Sequence, residues 1–135
     1  MDLAGEINQR MRGQLPEYLG ITVESASTEE VVGGLVVEAK LCTAQGILHG
    51  GSIMALADTL GAVTAFLNLP AGARTATVES KTNFLHTAPI GTKVTGRTRL
   101  VHKGRTLILV STELRDDTGK LLAITSQSQI IMRDT

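Results

Sequence analysis

Aromatic residues and cysteine are scarce in this sequence of 135 residues. It contains two Phe, one Tyr, no Trp and a single cysteine, Cys42. A lone cysteine excludes a disulfide within the chain, and no Cys/His group has the spacing of a zinc site. We therefore expect no metal, and we expect a core built from Val, Leu, Ile and Ala.

An excess of charge of either sign is also absent. Thirteen Lys and Arg residues balance 13 Asp and Glu residues, so the formal net charge at pH 7 is zero. Domains that bind nucleic acid usually carry a strongly basic face, so we expect no nucleic-acid partner. The first 13 residues lack the apolar segment of a secretory signal, and Asp58 interrupts the longest apolar run, which makes it a poor membrane span. We expect a cytoplasmic protein without a membrane partner.

The first third of the chain predicts one helix and two strands. The length suits a single domain, 1–135. Apolar residues recur at helical spacing between residues 2 and 13, with Asp2 as the cap and Pro16 beyond the end. The segments 20–28 and 29–41 are predicted to be extended. Gly33 lies in the second of them with another glycine and indicates a bulge or a close backbone approach.

The middle of the chain predicts a long buried helix. Apolar residues follow the i, i+3, i+4, i+7 pattern from Ile53 to Leu67, and Ala and Gly fill most other positions, so the helix is apolar nearly all round. Four segments rich in Thr, Val, Ile and Leu follow from Arg74, with hairpin turns predicted at residues 103–104 and 117–119. We predict an α+β hotdog fold, in which an antiparallel sheet is wrapped around one long central helix. Its free edges favour pairing with a second copy.

The segment that enters this helix, "LHGGS", combines features that suit a negative charge. The first N–H groups of a helix have no internal partner, and together with the helix dipole they stabilise an oxyanion. Asp58 lies two turns further along, on a face that also carries the small residues Gly61, Ala62 and Ala65. From the residues alone, a structural acid bonded to an amide or a hydroxyl explains Asp58 equally well, and the glycines are also typical of a plain strand-to-helix turn.

The segment "HGGSIMALAD" resembles the HGG-x(6)-D/E segment of the hotdog-fold acyl-CoA thioesterases, with closest likeness to the phenylacetate-pathway and 4-hydroxybenzoyl-CoA thioesterases. "NFLHTAPIG" is similar to their NFL-x-x-A-x-x-G segment, and the similarity runs over residues 21–132. The resemblance implies hydrolysis of an acyl-CoA or aryl-CoA to the free acid and CoA, with no cofactor. It also implies a homodimer with sites at the interface, commonly assembled into a homotetramer as a dimer of dimers.

The resemblance also implies roles for individual residues. Asp58 corresponds to the carboxylate that serves as general base or as nucleophile, and Gly50 to the glycine whose N–H polarises the thioester carbonyl. Thr77 falls where relatives use Ser or Thr to orient the attacking water, although Thr75 points to the same side. Many relatives carry Asn or Gln six residues before the motif histidine, where this chain has Thr43. The remaining predicted substrate contacts in this region are Gln45, which could substitute for that amide, Gly51 and the turn-stabilising His49.

Acyl-CoA carries phosphates, so a basic group is expected near the mouth of the site. The candidates are Lys103 and Arg105 of the "HKGR" turn, which in relatives lies near the nucleotide. A non-catalytic acyl-CoA binding or sensing module is the main alternative, and binding without turnover would favour it. A hotdog dehydratase is a further alternative, for which enoyl hydration is the test. The acyl preference and the choice between base and nucleophile stay open at this point.

Overall fold

A computed structural model describes residues 2–134 of the chain. Its elements are α1 (Leu3–Arg10), α2 (Leu15–Tyr18), β1 (Thr22–Ala26), β2 (Glu30–Val36), a 3₁₀ turn (Ala39–Leu41), α3 (Gly50–Leu67), β3 (Arg74–Phe84), β4 (Lys93–Lys103), β5 (Leu107–Arg115) and β6 (Leu121–Met132). The predicted helices, the strands and the hairpin turns after β4 and β5 are confirmed, and α2 is additional. The prediction of an extended segment over 29–41 is wrong at its end, because β2 stops at Val36 and Ala39–Leu41 form a 3₁₀ turn.

The N-terminal region has the predicted helix cap at Asp2 but also contains a second, short helix that was not expected. Asp2 caps α1 as predicted, because its side chain accepts a hydrogen bond from the Gly5 N–H over 2.8 Å. The short helix α2 is not among the predicted elements, because Pro16 also suits the position beyond the end of a helix. Pro16 instead lies in the first turn of α2, where a missing N–H costs nothing.

The six strands form one antiparallel sheet with the order β1-β2-β4-β5-β6-β3. β1 and β3 are its two edges. The register of β3 against β6 shifts between Thr77 and Glu79. Because one residue is added there, the set of side chains that β3 turns towards α3 changes from odd positions such as Thr77 to even positions such as Ser80.

Helix α3 lies against the concave face of this sheet and contacts β2 to β6. Leu56 and Leu60 are fully buried. Leu60 packs where the sheet has no side chains, since a Cβ at Gly33 or Gly96 would come within 2.8 or 2.7 Å of its methyl groups. The close backbone approach predicted at Gly33 is therefore confirmed. The arrangement is the predicted α+β hotdog fold.

The apolar character of α3 is explained by this position. Among residues 2–134 it is the one helix long and apolar enough to resemble a membrane span. The sheet covers one side of it, however, where the large apolar side chains Ile53, Leu56 and Leu60 are buried within the protein. The prediction of burial nearly all round is wrong for the other side, since Phe66 is 48% exposed. The assignment of 1–135 to one domain stays a prediction, and Met1 and Thr135 lie outside the described residues.

Candidate active site

The first turn of α3 leaves one amide open. His49 is the N-cap, and its Nδ1 accepts from the Gly51 N–H over 2.7 Å. The N–H groups of Ser52 and Ile53 both donate to the His49 carbonyl. The Gly50 N–H has no acceptor within residues 2–134. His49 therefore stabilises the turn, as predicted, while the helix dipole and an unused donor coincide at Gly50.

Gly50 is also held close to an aromatic ring. A Cβ at this position would lie 3.2 Å from the Phe84 ring at the end of β3. The absence of a side chain therefore lets β3 approach the head of α3. Because the ring is half exposed, at 51%, Phe84 borders the open amide with an apolar surface.

Asp58 is exposed, and the fold fixes one of its two carboxylate oxygens. Oδ1 accepts from the Thr77 hydroxyl over 2.7 Å and from Gln127 Nε2 over 2.6 Å. Within the described chain Oδ2 has no hydrogen-bond partner. The structure thus joins two residues predicted for the site, Asp58 from α3 and Thr77 from β3, and leaves one carboxylate oxygen open for chemistry.

Two glutamines of β6 belong to the same cluster, and sequence reasoning missed both. Gln129 Nε2 donates to Thr77 Oγ1 over 2.6 Å, and Gln127 Nε2 lies 3.2 Å from the same oxygen. The single hydroxyl proton of Thr75, the alternative to Thr77, is instead shared between Gln129 Oε1 and the Ile130 carbonyl. Thr77 is therefore the threonine that contacts the acid. The one available signal was the alternation in "TSQSQ", which places both glutamines on one face of a strand.

Gly50 and Asp58 of one chain cannot act on the same carbonyl group. They are eight residues apart on one helix, which corresponds to about 12 Å along its axis. The N–H groups of an α-helix also point towards its N-terminus, so the Gly50 donor points away from Asp58. A site that uses both groups therefore needs Gly50 from another copy of the chain.

Thr43 and Gln45 form a tight turn before the helix. Thr43 Oγ1 accepts from the Gln45 N–H over 3.2 Å, and the turn closes at Gly46, whose φ is +75°. The hydrogen bonds of the Thr43 side chain stay inside this turn. Within one chain the structure thus does not bring either residue to Asp58.

Lys103 and Arg105 lie in the exposed hairpin between β4 and β5. Neither forms an ion pair within residues 2–134. On the outer face of the sheet, by contrast, Arg97 and Arg99 are both paired with Glu30. The hairpin therefore offers two unneutralised positive charges for an anionic ligand.

A metal site has no obvious place in this arrangement. Across residues 2–134, no three His, Cys, Asp or Glu side chains are grouped so that they could hold a metal ion. The side chains that surround Asp58 are hydroxyls and amides. Their chemistry is that of hydrogen-bond donors to a carboxylate.

Comparison with known proteins identifies the family. Residues 45–123, which include both the glycine turn and Asp58, match the model of the thioesterase superfamily. The chain belongs to the thioesterase superfamily. Thioester hydrolysis is the general activity of this family, and the chain is accordingly an enzyme of the thioesterase class.

Individual relatives cover most of the chain. A candidate esterase of Deinococcus radiodurans is 34% identical over 121 residues, which are 89% of this chain and 75% of the relative. Human acyl-coenzyme A thioesterase 13 is 31% identical over 104 residues, 76% of this chain and 74% of the relative. A mutant thioesterase of Pseudomonas aeruginosa superposes with a TM-score of 0.92 at 25% identity and covers 98% of this chain and 95% of its own.

Proposed function

We propose that this thioesterase hydrolyses acyl-CoA or aryl-CoA to the free acid and CoA. The observation that carries the proposal is the Asp58 carboxylate, whose Oδ1 is held by Thr77 and Gln127 while Oδ2 has no partner in the described chain. The human relative named acyl-coenzyme A thioesterase 13 supports the choice of CoA thioesters.

The chemistry follows from these groups. The thioester oxygen accepts from the Gly50 N–H, so that the negative charge developing on it lies at the positive end of α3. Acting as general base, Asp58 removes a proton from water as the water oxygen bonds to the thioester carbon. The tetrahedral intermediate then collapses, the C–S bond breaks, and the departing thiolate takes the proton from Asp58.

Asp58 could alternatively attack the thioester carbon itself and form a mixed anhydride that water then opens. A single turnover in heavy-oxygen water, with enzyme in excess, detects the nucleophilic route. Label in the Asp58 carboxylate shows an anhydride opened at Asp58, whereas label found only in the acid product excludes that opening and leaves direct hydrolysis or opening at the acyl carbon.

The complete site requires a homodimer, because one chain keeps Gly50 and Asp58 about 12 Å apart. The two edges of the sheet differ in their ability to pair. At β1 the Asn8 side chain forms hydrogen bonds with the backbone of Val23. It donates to the Val23 carbonyl and accepts from the Val23 N–H, both over 2.8 Å. β3 pairs with β6 on one side and with no described strand on the other. Two copies joined antiparallel at β3 would run their α3 helices in opposite directions, which brings Gly50 of one towards Asp58 of the other.

An apolar groove suits the acyl group of the substrate, and a basic hairpin suits the phosphates of CoA. A groove of about 280 Å³ lies one turn beyond Asp58, between α1 and α3; its lining is almost wholly apolar and includes Ile7, Ala62 and Phe66. The acyl group would lie in this groove, along the small-residue face of α3. The CoA phosphates would contact Lys103 and Arg105.

Mixing two inactive variants tests the shared site. Gly50→Pro removes the N–H, and proline suits this position because it is the first of the helix and His49 already has an extended ψ of 139°. Asp58→Asn removes the base. Each variant alone should be inactive in a free-thiol assay with acyl-CoA. Mixed dimers retain one intact site, so an equal mixture should recover up to about a quarter of wild-type activity.

The outcomes separate the alternatives. Gly50→Ala is the matched control, since it adds bulk beside Phe84 but keeps the N–H, and it should lose much less activity than Gly50→Pro. No recovery on mixing, with hybrid dimers demonstrated, would contradict the shared site. Acyl-CoA binding without turnover by the wild type would contradict hydrolysis and favour a binding module. The homotetramer, the absence of a cofactor and the cytoplasmic location stay predictions.

A further inference from the structure

Two buried glutamines on β6 hold the Asp58–Thr77 pair. Gln127 and Gln129 are 3% and 0% exposed. They are two residues apart on a strand, so both side chains leave the face of the sheet that meets α3. Burying an amide is costly unless its polar atoms find partners. Their position between the sheet and Asp58 therefore needs a physical reason.

Asp58 sets the orientation of the Gln127 amide, and in this orientation the carbonyl oxygen of Gln127 is left without a partner in the described chain. Nε2 donates to Asp58 Oδ1, whereas Oε1 is buried without a hydrogen-bond partner in the described chain. Turning the amide over would place Oε1 against a carboxylate oxygen, and two acceptors repel each other. Unsatisfied buried atoms are rare in native proteins, and a catalytic role is one of the established reasons for them.

Gln129 completes the arrangement through Thr77. Its Nε2 donates to Thr77 Oγ1, and its Oε1 accepts from the Thr75 hydroxyl over 3.0 Å. With a donor from each glutamine, both lone pairs of the Thr77 hydroxyl are occupied, and its single proton goes to Asp58. Thr77 therefore has no acceptor left for water. It orients the carboxylate instead of the attacking water molecule.

Space for the Gln127 amide comes from Gly61, about one turn beyond Asp58 on α3. A Cβ at Gly61 would lie 2.6 Å from Gln127 Oε1 and 3.0 Å from Nε2. The amide therefore lies directly against the helix at this point. A side chain at this position would push the amide away from the carboxylate.

We propose that Gln127 and Gln129 are positioning residues of the thioesterase site. They fix the Thr77 hydroxyl and Asp58 Oδ1, so that Oδ2 is the atom that meets water or the thioester carbon. This inference rests on the proposed role of Asp58 in hydrolysis. Holding one oxygen in place restricts rotation of the carboxylate and keeps the other oxygen in a reactive orientation.

The experiment uses Gln127→Met, which keeps the length of the side chain and removes the donor. In acyl-CoA hydrolysis we expect kcat to fall about tenfold or more while KM changes less than about threefold, because the lost interaction orients the reacting group. Thr98→Val is the matched control. It removes a buried hydroxyl from the same sheet, the one bonded to Thr112 over 2.7 Å, and should leave kcat within about twofold of wild type.

A double-mutant cycle distinguishes positioning from a general loss of structure. In an Asp58→Asn background, whose residual rate does not depend on a carboxylate, Gln127→Met should cause no further loss of kcat. The same fractional loss in both backgrounds would overturn the proposal, as would an equal loss in Thr98→Val. Thr77→Ser should retain most activity and Thr77→Val should lose it, because only the serine variant keeps the hydroxyl.

A measurement without turnover separates this inference from the proposed function. The side-chain amide signal of Gln127 in an NMR spectrum should move in Asp58→Ala and stay in place in Thr98→Val. An unchanged signal in Asp58→Ala overturns the inference even if the enzyme is active. A shifted signal in a protein that hydrolyses no thioester supports the hydrogen bond but overturns the proposed function, and the positioning role with it.

Discussion

Leu60 and Asp58 are two residues apart on α3 and therefore face nearly opposite directions. Leu60 is fully buried and packs on Gly33 and Gly96, where the sheet presents backbone instead of side chains. Asp58 is exposed and meets the sheet through the hydroxyl of Thr77 and the amide of Gln127. We call the side of α3 that packs on Gly33 and Gly96 the glycine face, and the side that meets Thr77 and Gln127 the amide face. On the glycine face helix and sheet are in close contact, while on the amide face they are separated by groups that can donate hydrogen bonds.

This difference indicates that one face of α3 contributes to stability and the other to catalysis. Packing on the glycine face contributes to stability through apolar burial. On the amide face the buried carbonyl oxygen of Gln127 has no hydrogen-bond partner among residues 2–134, and a buried acceptor without a partner costs stability on the order of 1–3 kcal/mol. Substitutions on the first face should therefore change the free energy of unfolding, and substitutions on the second should change the rate of hydrolysis.

The largest effect is expected from Asp58→Asn. This change should lower kcat for acyl-CoA hydrolysis by about a thousandfold or more, equivalent to roughly 4 kcal/mol, because the reacting oxygen is replaced. The free energy of unfolding should change by less than about 1 kcal/mol, since Asp58 is exposed. A thiol-release assay and a urea titration measure the two quantities. Loss of stability with retained activity would reverse the assignment of this face.

Leu60→Ala should show the opposite behaviour. Removing this fully buried side chain should cost about 2–5 kcal/mol of unfolding free energy, since a cavity remains between α3 and the two glycines. At a temperature where the variant is folded, kcat should stay within about threefold of wild type. Urea titrations give the stability. A large fall in kcat of the folded protein would show that the two faces are coupled.

A matched pair of glycine substitutions gives a smaller but sharper contrast. Gly96→Ala places a methyl group 2.7 Å from a Leu60 methyl and should cost about 1–3 kcal/mol of stability with little change in kcat. In Gly61→Ala the three atoms nearest the new methyl group all belong to the Gln127 amide, which lies at the end of a flexible side chain, and alanine favours a helix by about 1 kcal/mol over glycine. Its stability should stay level or rise while kcat falls about tenfold. Equal stability losses in both variants would contradict the contrast.

The smallest effect is expected from Asp116, which lies in the β5–β6 turn and on neither face of α3. The Thr118 hydroxyl and the Lys120 N–H donate to it and hold the pKa of Asp116 below its ordinary value. A lowered folded-state pKa stabilises the fold above the unfolded-state pKa, and this contribution is lost as the pH falls through the folded-state pKa. Asp116→Asn should therefore be slightly less stable than wild type at pH 7 but not in strong acid, with kcat unchanged. A stability difference that persists in acid would contradict the charge effect.

The sequence predicted the backbone of the site better than its hydrogen bonds. The helical spacing of Leu56 and Leu60 marks α3, because burial imposes that period directly on the residue types. Asp58 was recognisable because an acid in an apolar helix is unusual, and Gly50 was assigned through the resemblance of "HGGSIMALAD" to the thioesterase segment. The helix α2 was missed because Pro16 favours both the end of one helix and the start of another.

Gln127 and Gln129 were missed for a different reason. In "TSQSQ" every residue is polar, so alternation alone does not show which set faces α3. That choice is set by the pairing with β5, where the buried Ile108 and Val110 lie opposite the two glutamines. The register shift next to Thr77 then decides which residues of β3 lie on the same face. A bulge of this kind reflects long-range packing and leaves no clear local pattern. Whether the predicted site residues act as assigned stays a prediction for the variants above.

The side chain of Asn8 has a consequence for the size of the assembly. A sheet with two open edges can add copies at both ends and grow into a fibre. Here Asn8 takes the place of a neighbouring strand at Val23, so two copies joined through β3 would have the backbone of Val23 blocked at each outer edge. This would disfavour growth by strand addition beyond the dimer. One amide on a short helix would thus protect the protein from aggregation by edge pairing.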